Sequence, residues 1–550
     1  MWYQERGDKT VRIADYIFKR LKEEGVEYTF GIPGDFILPL YAAQERCGMK
    51  TVVVTHEPSA GFAADVYARL NGLGVAIVTQ GVGALNMVNP IALAYAEESP
   101  VIVLAGAPEI HQRDPDALFH HRVKHHETQL RVYREVTAST AVLNDELSAI
   151  SEIDRVIETT KKLSRPGYIE IPRDMVNVDA PPRCATDHRR VVDNRKILKE
   201  ALEEIIRKIN ASRHPIIYAG VEIERFGLMK DLARLVEKLN LPTVTTLLGK
   251  SVLPEDHPNF VGNYIGNLSL NPVRDYVGRS DCIISLGSLP IDFGVASAFA
   301  SYTPNIIQVT SQEVCVGHHC YKDINLSDVM KGLLKTKALK RRSFKPLKKS
   351  PVKKKASSPV QKLTMVSIID ELNDFLTKRH IVISDVGDTL FASIELKTDI
   401  FIAPAYYASM GFAVPGAVGA QMAMPSRRPV VLVGDGCFQM TGIELATAKK
   451  MNLNPIVIIF NNGTFGTLRV MDKEREYLKV HSWDYVGLAR SLGGDGTQVD
   501  TTQGFKEALR AAGGSSDFYV IDAILDEDDI SSTLGRLAKD FRPRIQSLIQ

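Results

Sequence analysis

Short apolar runs recur along the whole chain, each ended by a glycine, proline or polar residue, with amphipathic stretches between them. TVVVTHE, GVAIVTQG and PVIVLAG form one set, HPIIYAG, LPTVTTLLG, DCIISLG and NIIQVT a second, and HIVISDVGD, PVVLVGDG, NPIVIIFNN and FYVIDAIL a third. Continuous apolar runs of this length predict strands buried on both faces, and segments such as PSAGFAADVYARLNG predict helices between them. Alternating strands and helices give an α/β chain with parallel sheets covered by helices on both sides. Three such sets predict three doubly wound domains. Ligands in such folds gather at the carboxyl ends of the strands, where Glu57, Gly81, Asp435, Asn461 and Asn462 fall.

Composition supplies the seams. Prolines and polar residues in VDAPPRCATDHRRVVDN precede the helical pattern RKILKEALEEIIRKI, and the basic, Pro/Ser-containing stretch from Lys335 to Lys362 reads as a solvated linker. The expected division is 1–184, 185–340, a linker over 341–360, and 361–550. A length of 550 residues, 45% hydrophobic and 24% charged, fits a soluble multidomain protein. A net charge of +2 gives no ground for a nucleic-acid partner, and no run is long and apolar enough for a membrane span. The charged N-terminal segment lacks the apolar core of a secretory signal, so a cytoplasmic location is expected. Six scattered cysteines suit a reducing compartment. The cluster CVGHHC (315–320) lacks paired zinc-site spacing and is read as a loop with incidental ligands.

VVLVGDG ends a buried strand on Asp435 between Gly434 and Gly436. The helical pattern CFQMTGIELATAKKM and the strand NPIVIIF then bring the chain back to NNG, so one β-α-β unit sets Asp435 near Asn461 and Asn462. A carboxylate, an amide oxygen and a backbone carbonyl make half of an octahedral oxygen shell for Mg2+. Glycines around the acid leave room for a diphosphate, and the helix start offers it N–H groups.

GDG followed about 25 residues later by NN resembles the thiamin diphosphate binding motif. The resemblance implies thiamin diphosphate and Mg2+ as cofactors and a diphosphate-binding third domain. Asp435, Asn462 and the Thr464 carbonyl would be metal ligands, and Gly434, Gly436, Cys437 and Asp388 would lie on the cofactor. YYASMGFAVPGAVGAQMA is similar to the family segment that wedges the cofactor, with Met410 as the wedge and the Ala408 carbonyl accepting from the aminopyrimidine. Glu57, in THEPSAGFAADVYAR, matches the glutamate that a pyrimidine-binding first domain gives to cofactor held by another subunit. A homodimer or homotetramer with sites at subunit interfaces follows from that match.

FGIPGDFILPLY, ALFHHRVKHH and SLGSLPIDFG resemble the pyruvate and indolepyruvate decarboxylase branch, which combines an acid at Asp35, Glu57 and a His-His pair. His120 and His121 fit that pair better than His125 and His126. Such a set suits proton transfer near neutral pH. One residue departs from the branch: Leu468, six positions after Asn462, stands where a glutamate is usual, and NNGTFGTLR is similar to benzoylformate decarboxylases. The expected activity is decarboxylation of a 2-oxo acid to an aldehyde and CO2, with an acetolactate synthase-like carboligase as the alternative.

Overall fold

The computed structural model describes residues 10–113, 118–181, 194–289, 305–346, 361–472 and 475–539. Cys184, the linker from 347 to 360 and the stretch of SLGSLPIDFG from 290 onward lie outside them. In chain order the first domain supplies strands β1 (Val11–Arg12), β2 (Tyr28–Gly31), β3 (Lys50–Val53), β4 (Gly74–Thr79), β5 (Val101–Ala107), β6 (Ser139–Val142), β7 (Gly167–Pro172) and β8 (Asp179–Ala180). A six-stranded parallel sheet runs β3-β2-β4-β5-β7-β6, and β1 pairs with β8 apart from it. Every residue of β4, β5 and β7 is buried, which is why these strands read as unbroken apolar runs rather than alternating ones. Each buried Val, Ile or Leu contributes about 1.5–3 kcal/mol.

The middle domain follows with β9 (Pro215–Ala219), β10 (Thr243–Thr245), β11 (Phe260–Asn263), β12 (Cys282–Leu286), β13 (Ile306–Val309), β14 (Glu313–Val316) and β15 (His319–Lys322). Its seven-stranded sheet runs β11-β10-β9-β12-β13-β14-β15, with the last two strands antiparallel. CVGHHC, expected as a loop, is the turn of the β14–β15 hairpin, and Cys315 and Cys320 are joined by a disulfide. The physical reason is register: the two cysteines face each other across the ladder, and no spacing rule for metal sites covers that case. The start of the basic stretch is also docked. The Arg342 guanidinium donates to the Ile209 carbonyl and that of Arg341 to the Glu237 carbonyl, both near the C-termini of helices, where cations are favoured.

The third domain contributes β16 (His380–Ser384), β17 (Phe401–Ile402), β18 (Arg428–Gly434), β19 (Ile456–Asn461), β20 (Asp495–Val499) and β21 (Tyr519–Ile524). All strands of its sheet, β17-β16-β18-β19-β21-β20, are parallel. In the first and third sheets the chain leaves a central strand, builds the edge strand, and returns on the other side. That reversal opens a crevice between β2 and β4, and another between β16 and β18. Asp35 follows β2, and Asp435 follows β18.

The first and third domains pack through the helices Glu57–Asn71 and Ala413–Ala423. Small residues allow the approach: a side chain on Gly419 would begin 2.1 Å from the Ala63 carbonyl oxygen. Where the first domain meets the middle one, Glu222 is buried, and its carboxylate accepts from the Ser311 N–H and hydroxyl. Burial, and then the charge of Glu98, push the Glu222 carboxyl up to about 7, opposed by Ser311 and Arg165.

The sign of the resulting pH dependence follows from proton binding. The folded protein keeps the Glu222 proton to about pH 7, whereas an unfolded chain releases it near the ordinary 4.5. Stability from this group is therefore full below that lower value and declines as pH rises through the window between them. Glu222→Gln mimics the protonated form, so in denaturation measured across pH it should match the parent near about pH 5 and exceed it by about 1–2 kcal/mol near about pH 8. An equal difference at both ends would remove Glu222 as the cause.

Candidate active site

β18 carries four consecutive fully buried residues, Val430 to Val433, into Asp435, the first residue of the helix Asp435–Thr441. Asp435 is 3% exposed. One carboxylate oxygen accepts from the Gly436 N–H at 2.7 Å, and the other accepts from Gly463 N–H at 2.8 Å. The acid and the NNG turn are thus hydrogen-bonded, as the β-α-β reading requires. Burial pushes the Asp435 carboxyl up to about 6, and no Lys or Arg among the described residues is hydrogen-bonded to it. A divalent cation would stabilise its ionised form.

The two asparagines part company. Asn461 is buried and donates to Asp522 at 2.9 Å, while the Asn462 amide oxygen accepts only locally, from the Thr464 N–H at 3.2 Å. The Thr464 carbonyl accepts from the Gly466 N–H at 2.9 Å and retains a second lone pair. Oxygen donors from Asp435, Asn462 and Thr464 therefore fit Mg2+. A side chain on Gly434 would meet open space, as a ligand cradle requires. Gly436 has a different reason: a Cβ there would lie 2.6 Å from the Phe465 ring, so this glycine serves packing as well as access. Cys437 is buried, its thiol pushed up by burial, and its sulfur lies 3.7 Å from the Val386 carbonyl. Asp388 is turned toward Ser531, whose N–H donates to it at 2.8 Å, and burial pushes its carboxyl up to about 6.

The segment expected to act as the wedge is a strained turn. Ala408 has φ +58° and Gly411 φ +81°, and Met410 between them packs on the apolar cluster of Phe62, Phe412 and Phe438. Its supports were not read from the sequence. Asp385, fully buried at the end of β16, accepts from Gly411 N–H at 3.2 Å, Ala413 N–H at 2.9 Å and its neighbour Val386 N–H at 3.0 Å. Glu97 accepts from the N–H groups of Tyr406 and Tyr407 at 2.8 and 2.9 Å and pairs with Arg69, which Asp65 grips through two bonds of 2.8 Å. A usable signal existed: Glu97 ends the helix Val88–Ala96, where the helix dipole disfavours an acid unless it has partners elsewhere.

Glu57 opens its helix, and its carboxylate accepts from the Asn86 amide at 2.8 Å. Asp35 and His120 meet at 2.7 Å, and the His120 and His121 rings are 4.8 Å apart. Partial burial raises the Asp35 carboxyl, but the His120 hydrogen bond and charge, the Phe36 N–H and His121 together hold it below its ordinary range. The second pair is not part of this set: His126 is buried beside Phe119, and His125 is exposed. Leu468 lies on the turn Gly466–Arg469 after NNG and is 51% exposed. Among the described residues no hydrogen bond joins Glu57 or the Asp35 set to the Asp435 set.

Residues 11–132 match the thiamine pyrophosphate enzyme N-terminal TPP binding domain, 202–336 its central domain and 385–523 its C-terminal TPP binding domain. The chain belongs to the thiamine pyrophosphate enzyme family. It is 34% identical over 536 residues to an indole-3-pyruvate decarboxylase of Azospirillum brasilense, covering 96% of this chain and 98% of that one. Identity is 30% over 503 residues to pyruvate decarboxylase isozyme 3 of Saccharomyces cerevisiae, covering 88% and 89%. It is 28% over 547 residues to a pyruvate decarboxylase of Hanseniaspora uvarum, covering 95% and 97%.

Asp385 is expected to act by holding the wedge. Asp385→Ala leaves the buried Gly411 and Ala413 N–H groups without their acceptor, at a cost of about 1–3 kcal/mol each. The dissociation constant for thiamin diphosphate, read by fluorescence quenching at saturating Mg2+, should rise at least about tenfold. Unchanged affinity would show that the wedge holds itself.

Proposed function

We propose that the protein is a thiamin diphosphate- and Mg2+-dependent carbon–carbon lyase that converts a 2-oxo acid to an aldehyde and CO2. The observation that carries the reading is the buried Asp435 carboxylate bonded to the NNG turn, a cation-seeking group beside the Asn462 and Thr464 oxygens. Asp435, Asn462 and the Thr464 carbonyl would hold Mg2+. Gly434, Gly436, Cys437 and Asp388 would surround the diphosphate, and Ala408 and Met410 the rings. When bound, thiamin diphosphate supplies the carbon nucleophile and electron sink that 2-oxo acid decarboxylation needs.

The chain's own groups supply orientation and proton handling. Asn86 fixes Glu57, which would hold a proton at the pyrimidine ring. Asp35 and His120, hydrogen-bonded already, would with His121 deliver a proton to the product carbon as the aldehyde leaves. Leu468, half exposed on the turn after NNG, would add apolar surface at the site and favour a 2-oxo acid with a large apolar side chain. The likeness to a protein named for indole-3-pyruvate supports that preference. The same residue favours the second reading, a carboligase, because no carboxylate stands there to hasten protonation before a second carbonyl compound arrives.

A second copy of the chain completes the site in this proposal, as a homodimer or homotetramer. Val82, Tyr406, Tyr407, Met440 and Ile443 are exposed apolar residues near the Glu57, wedge and Asp435 segments, a surface that another subunit would cover. The domain extents 1–184, 185–340 and 361–550, with the linker between the last two, belong to the same proposal. Among the described residues no helix is long and apolar enough to cross a membrane. Cytoplasmic residence is supported by the free thiols of Cys47, Cys282 and Cys437, with the Cys315–Cys320 disulfide as the opposing observation.

Product analysis over a panel of 2-oxo acids, with and without added aldehyde, tests the reading. CO2 with equal free aldehyde, greatest for aromatic acids, is the expected result; mainly acyloin products would favour the carboligase, and no CO2 from any acid would remove both. Asp435→Ala or Mg2+ removal should abolish turnover together with cofactor binding. Glu57→Gln should lower kcat by about 10²–10⁴-fold with cofactor still bound.

A further inference from the structure

Asp35, His120 and His121 each offer one ligand atom, and these atoms lie within 4.8 Å of one another. We propose that the three side chains form a second cation site, selective for a borderline transition metal such as Zn2+, and that a metal held there stops turnover.

The first support is orientation. Consecutive residues of an extended chain point to opposite sides, yet His121 has φ +64°, and this left-handed residue brings both rings to one locus with Asp35. The turn is locked from below: a Cβ on Gly81 would lie 2.3 Å from the His121 carbonyl oxygen, so only glycine fits there. Both rings are also clamped. Phe36 stacks on His120 at 4.8 Å and meets His121 edge-on at 5.7 Å, and Phe119 stacks on His120 at 5.0 Å. Ligands whose rotamers are fixed by packing lose little entropy on binding a metal.

The second support is chemistry. Two imidazole nitrogens and one carboxylate oxygen suit Zn2+, Cu2+, Ni2+ or Co2+, whereas Mg2+ requires oxygen ligands and six-fold geometry. The Asp435 site offers oxygen only, so the two sites sort the two metal classes. Tetrahedral Zn2+ with ordinary bond lengths separates its ligand atoms by about 3.3 Å. The His120–Asp35 contact of 2.7 Å must open slightly and the wider separations must close, small shifts within the packed rotamers to which the 44% exposed Asp35 side chain contributes most. His121 Nδ1 is buried without a hydrogen-bond partner among the described residues. A metal there takes the lone pairs that would otherwise carry protons. The binding is independent of the reaction assigned above; the inhibition rests on that assignment.

The test uses untagged holoenzyme saturated with thiamin diphosphate and Mg2+. Calorimetric titration with Zn2+ should show one site per chain in the micromolar range, and Co2+ should develop visible bands of a nitrogen-containing site. Excess Mg2+ should not compete. Asp35→Ala and His121→Asn should each weaken binding by more than about 100-fold, the latter chosen because Asn tolerates a left-handed backbone. His318→Ala with His319→Ala, on the β14–β15 hairpin of the middle domain, should leave it unchanged. Zn2+ binding that survives the first two variants, yields to Mg2+, or disappears in the hairpin variant would overturn the site. Full turnover with Zn2+ bound would overturn the inhibition alone; activity lost with Zn2+ and restored by a zinc-selective chelator would support both parts.

Discussion

A carboxylate buried at the end of a parallel strand is the constraint around which the third domain is arranged. Among the described residues Asp435 is held by the backbone N–H groups of Gly436 and Gly463, with that of Asn462 nearby, and burial pushes its carboxyl up to about 6 against those bonds. Everything around it either lowers that cost or exploits it. β18 fixes its height, the short helix gives it N–H groups, and the NNG turn brings neutral oxygens beside it. Asp385, on the other strand bounding the crevice, applies the same device to the wedge turn. Two buried acids thus hold two loops on either side of one topological switch point.

Local chemistry was legible in the sequence wherever spacing alone places atoms. GDG and NN lie on one β-α-β unit, so their adjacency follows from connectivity, and the hydrogen bond from Gly463 to Asp435 is that adjacency. The buried parallel strands were equally plain, because a strand covered on both faces leaves no polar position to blur the run. Supports that cross between domains were not legible. Glu97 reaches Tyr406 and Tyr407 over a separation of about 310 residues, and Asp65 and Arg69 join it from a helix that looks merely amphipathic. The Cys315–Cys320 bridge was missed for another reason, since cross-strand pairing depends on hairpin register rather than on motif spacing.

The two metal sites proposed for the chain would sit on different domains. Oxygen donors cluster after β18, and nitrogen donors cluster beside the β2–β4 crevice. In that proposal hard cation and proton traffic would be kept on separate scaffolds, each built by the same fold. The small-residue seam between the helices Glu57–Asn71 and Ala413–Ala423 holds the two scaffolds together without charged side chains at the Ala63–Gly419 contact itself.

Leu468 has a bearing on how such a protein changes over generations. It sits on a short exposed turn, caps no helix and belongs to no apolar core, while the fold rests on buried strands elsewhere. Surface substitutions of this kind generally alter stability by no more than about 0.5 kcal/mol. With the role proposed for Leu468, substrate choice could drift at this position almost independently of foldability, and a lineage could explore new acids through one codon without first accumulating reserve stability.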